Sequence, residues 1–190
     1  MRIATNKPDI VLSFPPQVGT DCRVLVLGTV PSVQSLALQQ SYGHAQNLFW
    51  QFMGEMFDAG RDLPYAERIA RLHARGVGIW DVYRSVERPG SLDSSIVRAS
   101  EVPNEIAALL REHVSIRAIA LNGGRAAAGF RRHVEPTLVD LRRDGRAIDI
   151  IELPSTSPAN ASIPRAEKLR RWQALAAYAK QTKSSQGDRE

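Results

Sequence analysis

The sequence predicts an α/β fold in which a parallel sheet of four strands is covered by helices on both faces. Four short apolar runs supply the strands, at 23–27, 77–83, 116–122 and 148–153. Segments with helical apolar spacing separate these runs, and such alternation is typical of parallel sheets. A hydrophobic content of 43% in 190 residues is enough to build the core of one such domain.

The first part of the chain predicts one strand and three helices. Residues 1–20 read as an irregular arm, and RVLVL at 23–27 is apolar throughout, as a buried strand requires. A short helix is expected at 32–40. At 47–58, aromatic and methionine side chains repeat on one helical face. The helix at 64–75 has a proline at its first turn and a glycine after its end.

The middle of the chain predicts two strands and two helices. VGIWDVY at 77–83 reads as a strand that runs into a polar end. The proline, glycine and serines of 84–102 indicate a loop. A proline opens the helix at 103–112. IRAIALN at 116–122 is the third strand, and a helix follows its two glycines at 124–133.

The last part predicts one strand and a long helix. IDIIEL at 148–153 is the fourth strand, and the preceding 136–141 is expected to pair loosely or to lead into it. An amphipathic helix is expected at 164–181. The polar tail at 182–190 is expected to be disordered, so a single domain spans 1–181.

Composition narrows the classes of function. The net charge of +5 suits a polyanion such as DNA or RNA, although a preference for arginine codons in a GC-rich genome would have the same effect. The single cysteine, Cys22, excludes a disulfide within the chain and is expected to be a buried apolar side chain. We find no signal peptide or membrane-length apolar run, which predicts a cytoplasmic protein. The histidines lack the spacing of metal ligands.

Polar or turn residues follow all four predicted strands. These segments are GTVPS at 28–32, DVY at 81–83, NGG at 122–124 and PSTSPAN at 154–160. In folds of this class, ligands bind outside the carboxyl ends of the strands, so we expect the functional site there. GTVPS has neither the lysine of a phosphate-binding P-loop nor the glycine spacing of a dinucleotide site.

Two of these segments carry candidate side chains with alternative roles. Ser155, Thr156 and Ser157 can donate hydrogen bonds to phosphate oxygens. The alternative is a turn that leads into the next helix, with Ser162 as its cap. For Asn122, a cap of the following helix is favoured over a place in the site.

Three motifs together resemble the uracil-DNA glycosylase superfamily and, within it, the hypoxanthine (deoxyinosine) DNA glycosylase branch. They are LGTVPSVQSL…YGHAQNLFW, GIWDVYRSVERPGSLDSSI and LPSTSPAN, and the similarity runs from about Phe14 to Trp172. The resemblance implies a three-layer α/β/α sandwich with a four-stranded parallel sheet. It also implies hydrolysis of the N-glycosidic bond of a deaminated base, most simply hypoxanthine, which leaves an abasic site, without metal or cofactor. The implied partner is DNA carrying such a base, with no membrane, and the implied state is a nucleoid-associated monomer.

The resemblance places the catalytic amide at Asn47. In much of the superfamily an Asp or Asn just after the first glycine orients the attacking water, but Thr29 and Val30 stand there in this sequence. An asparagine at 47 can also cap a helix, and both roles can hold. The departure leaves three alternatives: uracil or xanthine as the main substrate, a non-catalytic nucleic-acid-binding module, or an enzyme of free nucleosides.

The remaining candidates surround the expected base. His44 and the backbone N–H groups of Gly28–Val30 are expected to stabilise the negative charge of the leaving base. Asp81 is expected to accept a hydrogen bond from a ring N–H. Tyr42 or Phe49 is expected to stack on the base. The alternatives are a loop histidine, a turn aspartate and aromatic side chains of the core.

Overall fold

A computed structural model describes residues 9–180, without the side chain of Arg142. The tail expected at 182–190 and the first eight residues of the arm lie outside the described residues. The strands are Ile10–Leu12 (β1), Val24–Gly28 (β2), Val77–Asp81 (β3), Tyr83–Glu87 (β4), Val102–Pro103 (β5), Ala118–Asn122 (β6) and Asp149–Leu153 (β7). The α-helices are Val33–Leu38 (α1), Phe49–Phe57 (α2), Tyr65–Ala74 (α3), Ile106–Glu112 (α4), Gly124–Gly129 (α5), Val139–Arg143 (α6) and Arg165–Trp172 (α7).

The main sheet is parallel and has the strand order β3-β2-β6-β7. Every residue of the two central strands is buried, which explains why β2 and β6 are apolar throughout instead of alternating. The register aligns Gly28 with Asp81 and Asn122 with Leu153. The predicted four-stranded parallel sheet is therefore confirmed, and its polar strand ends lie along one edge.

Two apolar clusters cover the faces of this sheet. Successive side chains of a strand point to opposite faces, so Val24 and Val26 pack in one cluster and Leu25 and Leu27 in the other. Helices α2, α3 and α7 cover the first face, and α4 and α5 cover the second. The three-layer α/β/α sandwich is therefore confirmed. The wholly buried Trp50 of α2 contributes an amount of order 1.5–3 kcal/mol by its burial.

A second, antiparallel sheet was not predicted. It has the order β1-β4-β5 and joins the arm to the segment expected to be a loop at 84–102. The arm continues against the main sheet, where Gln17 forms a bridge with Ile79 and Trp80 Nε1 donates to the Phe14 carbonyl at 2.9 Å. The predicted strand at 77–83 is thus two strands, one in each sheet.

The structure corrects three other elements. Pro103 belongs to β5, and α4 begins at Ile106. The segment expected to pair at 136–141 is helical, within a 3-10 turn and α6. The long helix expected at 164–181 is α7 followed by a 3-10 turn at Gln173–Ala177. Within residues 9–180, no helix combines the length and apolarity needed to span a membrane.

Candidate active site

A cavity of about 500 Å³ lies at the carboxyl edge of the main sheet. The ends of all four parallel strands contribute to its wall, as expected for this fold class, and its volume is typical of small-molecule sites. Apart from Phe49, all the predicted site residues line it: Gly28, Thr29, Val30, Tyr42, His44, Asn47, Asp81, Ser155, Thr156 and Ser157.

Gly28 shapes the floor of this cavity. It ends β2 beside Asp81, its partner in register on β3. A Cβ atom at position 28 would lie 2.6 Å from Asp81 Oδ1 and 3.0 Å from Tyr42 Oη. Only a residue without a side chain therefore lets both polar atoms approach the strand so closely.

Tyr42 brings an aromatic side chain to the cavity wall. Its φ of 56° lies in the left-handed region, which few residues other than glycine adopt. The ring stacks on the fully buried Phe49, with a centroid distance of 3.9 Å and an angle of 19°. The Tyr42 hydroxyl is buried near Asn122 without a hydrogen bond of full geometry among residues 9–180. Burial and the Asp81 charge raise the pKa of Tyr42, so the phenol stays neutral.

Asp81 has a strongly shifted ionisation. Burial raises the pKa of Asp81 to about 7, the Asp93 carboxylate acts in the same direction, and the Arg88 guanidinium opposes them. Near neutral pH the side chain therefore exists both as an ionised acceptor and as a protonated donor. Its backbone carbonyl accepts from Asn104 Nδ2 at 2.9 Å, which fixes the end of β3.

Arg88 and Asp93 also line the cavity, and sequence reasoning did not single them out. Arg88 is 1% exposed; it donates to the carbonyls of Pro31 at 2.6 Å and Gly90 at 3.1 Å. Its Nη1 lies 3.6 Å from Asp93 Oδ1. Burial raises the pKa of Asp93, while a hydrogen bond with Thr29 and the Arg88 charge oppose this. Both charged residues stand in a stretch of serine, proline and glycine, which reads as a solvated loop.

His44 and Asn47 lie together on the cavity wall. Asn47 N–H donates to the His44 carbonyl at 2.9 Å, and Arg61 Nη2 donates to both backbone carbonyls, at 3.0 and 3.3 Å. Asn47 Oδ1 accepts from Phe49 N–H at 3.0 Å, a bond of the capping type that the alternative reading expected. His44 Nδ1 accepts from Gln46 N–H at 3.2 Å, so the neutral ring carries its proton on Nε2.

The loop after β7 is tied to the end of β6. Asn122 Nδ2 donates to Thr156 Oγ1 at 2.9 Å, and Thr156 N–H donates to Asn122 Oδ1 at 3.0 Å. Thr156 is fully buried, whereas Ser155 and Ser157 are partly exposed. The capping role expected for Asn122 is therefore wrong. The cap expected from Ser162 is also wrong, because α7 has no side-chain cap.

Lys168 supports the same loop from α7. Its side chain is almost completely buried, and Nζ donates to the carbonyls of Ser155, at 2.8 Å, and Asn160. Burial lowers the pKa of Lys168. On the other side of the loop, Leu48 N–H donates to the Thr156 carbonyl at 3.0 Å. The loop and the segment that carries Asn47 are therefore held in one arrangement.

Arg125 places a positive charge at the cavity wall. It is held by Glu101, whose side chain is 1% exposed and accepts from Arg125 Nη2 at 2.6 Å and Arg132 Nη1 at 2.9 Å. His133 Nε2 lies 2.8 Å from the same carboxylate. Burial alone would raise the pKa of Glu101, but the bonds from His133 and Arg125 outweigh it and the pKa is lowered. The carboxylate therefore stays ionised and fixes the arginine.

The cavity combines groups suited to a flat, polar ring. An amide, an imidazole, a phenol and two carboxyls surround it, with serine hydroxyls and an arginine nearby. Among residues 9–180, no group of three or more His, Cys, Asp or Glu side chains is placed to hold a metal ion. The chemistry available from these residues is hydrogen bonding, stacking and the positioning of water.

Comparison with known proteins agrees with this arrangement. The family model of the uracil DNA glycosylase superfamily matches residues 15–176. A hypoxanthine DNA glycosylase of Methanosarcina acetivorans is 30% identical over 163 residues, which cover 85% of this chain and 95% of the relative. One of Methanosarcina barkeri is 30% identical over 116 residues, 60% of this chain and 71% of the relative.

A solved structure has the same architecture. The solution NMR structure of a Methanosarcina acetivorans protein, described as a candidate uracil DNA glycosylase, superposes with a TM-score of 0.68 at 28% identity. The match covers 88% of this chain and 96% of that chain. The family-model match spans most of the sequence and includes all three motifs, so the chain belongs to the uracil DNA glycosylase superfamily.

Proposed function

We propose that the protein is a DNA-repair glycosylase that hydrolyses the N-glycosidic bond of deoxyinosine in DNA. The observation that supports this most is that Asn47, Tyr42 and Asp81 line one cavity at the edge of the sheet. The names of the curated relatives favour hypoxanthine as the base. An enzyme of this kind turns the nucleotide out of the duplex into a pocket, at a cost of a few kcal/mol that is smallest for poorly paired bases.

Asn47 is proposed to orient the attacking water. A carboxamide oxygen has two lone pairs, so the oxygen that accepts from Phe49 N–H can accept a second bond from water. The water oxygen bonds to C1′ while the C1′–N9 bond breaks, and its electron pair leaves with the base. The proton released by the water passes to the base or to solvent. A carboxamide is too weak a base to take that proton, so its contribution is positioning.

His44 and Asp81 are proposed to act on the leaving base. His44 Nε2–H is a donor toward the negative charge that develops on the base. Backbone N–H groups of Gly28–Val30 are further candidates. Ionised Asp81 accepts from hypoxanthine N1–H, and the protonated form donates to O6. Either pairing suits a side chain whose pKa is about 7.

Tyr42 is proposed to contact the base, and the serines to contact the DNA backbone. Phe49 lies behind the Tyr42 ring, so Tyr42 and not Phe49 meets the ligand. Ser155 and Ser157 hydroxyls are partly exposed and can donate to phosphate oxygens. Thr156 is buried, so we assign it to holding the loop in place. We further propose that one chain suffices, because all these groups belong to it.

Asn47→Ala tests the proposal. Base release is measured under single-turnover conditions from duplexes that carry deoxyinosine, deoxyuridine or deoxyxanthosine, with alkali to reveal abasic sites. We expect deoxyinosine to be the preferred substrate and Asn47→Ala to slow its release at least about 100-fold, as for loss of one catalytic hydrogen bond. DNA affinity should change by less than about threefold, because the phosphate contacts remain.

Gln46→Ala is the matched control. Gln46 is the exposed neighbouring carboxamide and does not line the cavity. Its substitution should leave base release unchanged. Preference for deoxyuridine or deoxyxanthosine would replace hypoxanthine with that base, and wild-type turnover in Asn47→Ala would refute the role of Asn47. Salt-insensitive turnover with a preference for free nucleosides would remove DNA as the substrate.

A further inference from the structure

When a base leaves the stack, the gap in the duplex must be filled. Proteins that deform DNA often insert an apolar side chain between bases. The loop after β7 lacks a prominent candidate, since Ala159, Ala161 and Ser162 are small and Ile163 is partly buried. The side chain that fills the gap must therefore come from another part of the cavity rim.

Leu92 is an exposed apolar side chain at the cavity. It lines the cavity wall and is 56% exposed. Its neighbours Ser91 and Ser94 are exposed polar residues that line the same cavity. An exposed leucine among serines, beside a cavity of base-binding character, is placed to contact what enters that cavity.

The loop that carries Leu92 is anchored from inside the protein. Arg88 is buried and donates to Gly90 and Pro31 carbonyls on either side, and Asp93 lies within ion-pair distance of it. Ser95 N–H donates to the Leu92 carbonyl at 2.9 Å, closing a 3-10 turn. A buried arginine that serves only backbone carbonyls and one carboxylate has a structural purpose. It holds this short loop, and with it Leu92, in a fixed position.

We propose that Leu92 enters the DNA base stack and fills the space left by the extruded nucleotide. This inference rests on the proposed function. Pre-ordering by Arg88 reduces the entropy lost when the leucine is inserted. The insertion favours the extruded state of a paired nucleotide, so its effect depends on the opposite strand and not on the chemistry of bond cleavage.

The test compares Leu92→Ala on three substrates under single-turnover conditions. They are a duplex with deoxyinosine opposite cytosine, the unpaired deoxyinosine strand, and a duplex with a pyrene nucleoside opposite the deoxyinosine. Pyrene occupies the stack and displaces the base without help. We expect Leu92→Ala to slow release from the first duplex at least about tenfold, and from the other two less than about threefold. Leu12→Ala is the control, since Leu12 is 60% exposed on β1 and does not line the cavity.

Each outcome is decisive. Wild-type rates of Leu92→Ala on the paired duplex would overturn the proposal, and so would an equal loss on all three substrates. If the unsubstituted protein releases hypoxanthine from none of them, the proposed function fails, and with it the basis of this inference. A melting temperature equal to that of Leu12→Ala confirms that both variants fold.

Discussion

Gly28→Ala should damage the cavity through two contacts given by the structure. The added methyl group would lie 2.6 Å from Asp81 Oδ1 and 3.0 Å from Tyr42 Oη. Restoring ordinary contact requires Asp81 to withdraw by about 0.8 Å and Tyr42 by about half as much. Misplacement of this size can slow catalysis about 100-fold, and overpacking costs about 1–3 kcal/mol of unfolding free energy. The assay is single-turnover release of hypoxanthine, with urea denaturation to measure stability.

Gly19→Ala separates these two effects. Its Cβ would lie 3.0 Å from His73 Cβ, a comparable overlap at a residue that does not line the cavity. This variant should lose stability but keep the wild-type rate wherever it is folded. A folded Gly28→Ala protein with the wild-type rate would show that the close approach of Asp81 and Tyr42 to the strand has no part in base release.

Two further substitutions test the charges around the cavity. The folded-state pKa of Asp81, about 7, exceeds its ordinary value of 3.8, so folding binds a proton between these pH values and the free energy of unfolding falls as pH rises through that window, by up to about 4 kcal/mol. In Asp81→Asn this decrease should disappear, as judged from urea midpoints at pH 5 and pH 8; equal slopes in the two proteins would contradict the shift. Lys168→Met removes the donor to the Ser155 and Asn160 carbonyls and should weaken DNA binding at least about tenfold, measured by fluorescence anisotropy at several salt concentrations. Arg170→Met, an exposed charge change on the same helix, is its control, and equal affinities in the two variants would refute the loop-holding role.

The main sheet could be predicted because its strands are buried on both faces. A strand such as β2 is apolar at every position, and this signal is local. The small sheet could not be predicted in the same way, because β1 and β4 are short and lie far apart in the sequence. Their pairing depends on contacts that no local pattern reveals.

The candidate site divides in the same manner. The strand-end rule and the motifs led to Asn47 and Asp81 without knowledge of the coordinates. Arg88 was missed because an arginine before proline and glycine is ordinarily solvated, and its burial follows from carbonyls that surround it in space. Lys168 was missed because the pattern of α7 gives a lysine no reason to face inward. Its carbonyl partners lie in the loop before the helix.

The pairing of β1 with β4 has a consequence for how the chain is made. Ribosomes add about 5–20 residues per second, so β1 waits about 4–15 s for the strand that completes its ladder. During that interval the nascent segment carries unpaired N–H and C=O groups and the apolar side chains of Ile10 and Leu12. Translational pauses upstream of Tyr83 would prolong this exposure, whereas pauses after Glu87 would allow the hairpin-like closure to finish first.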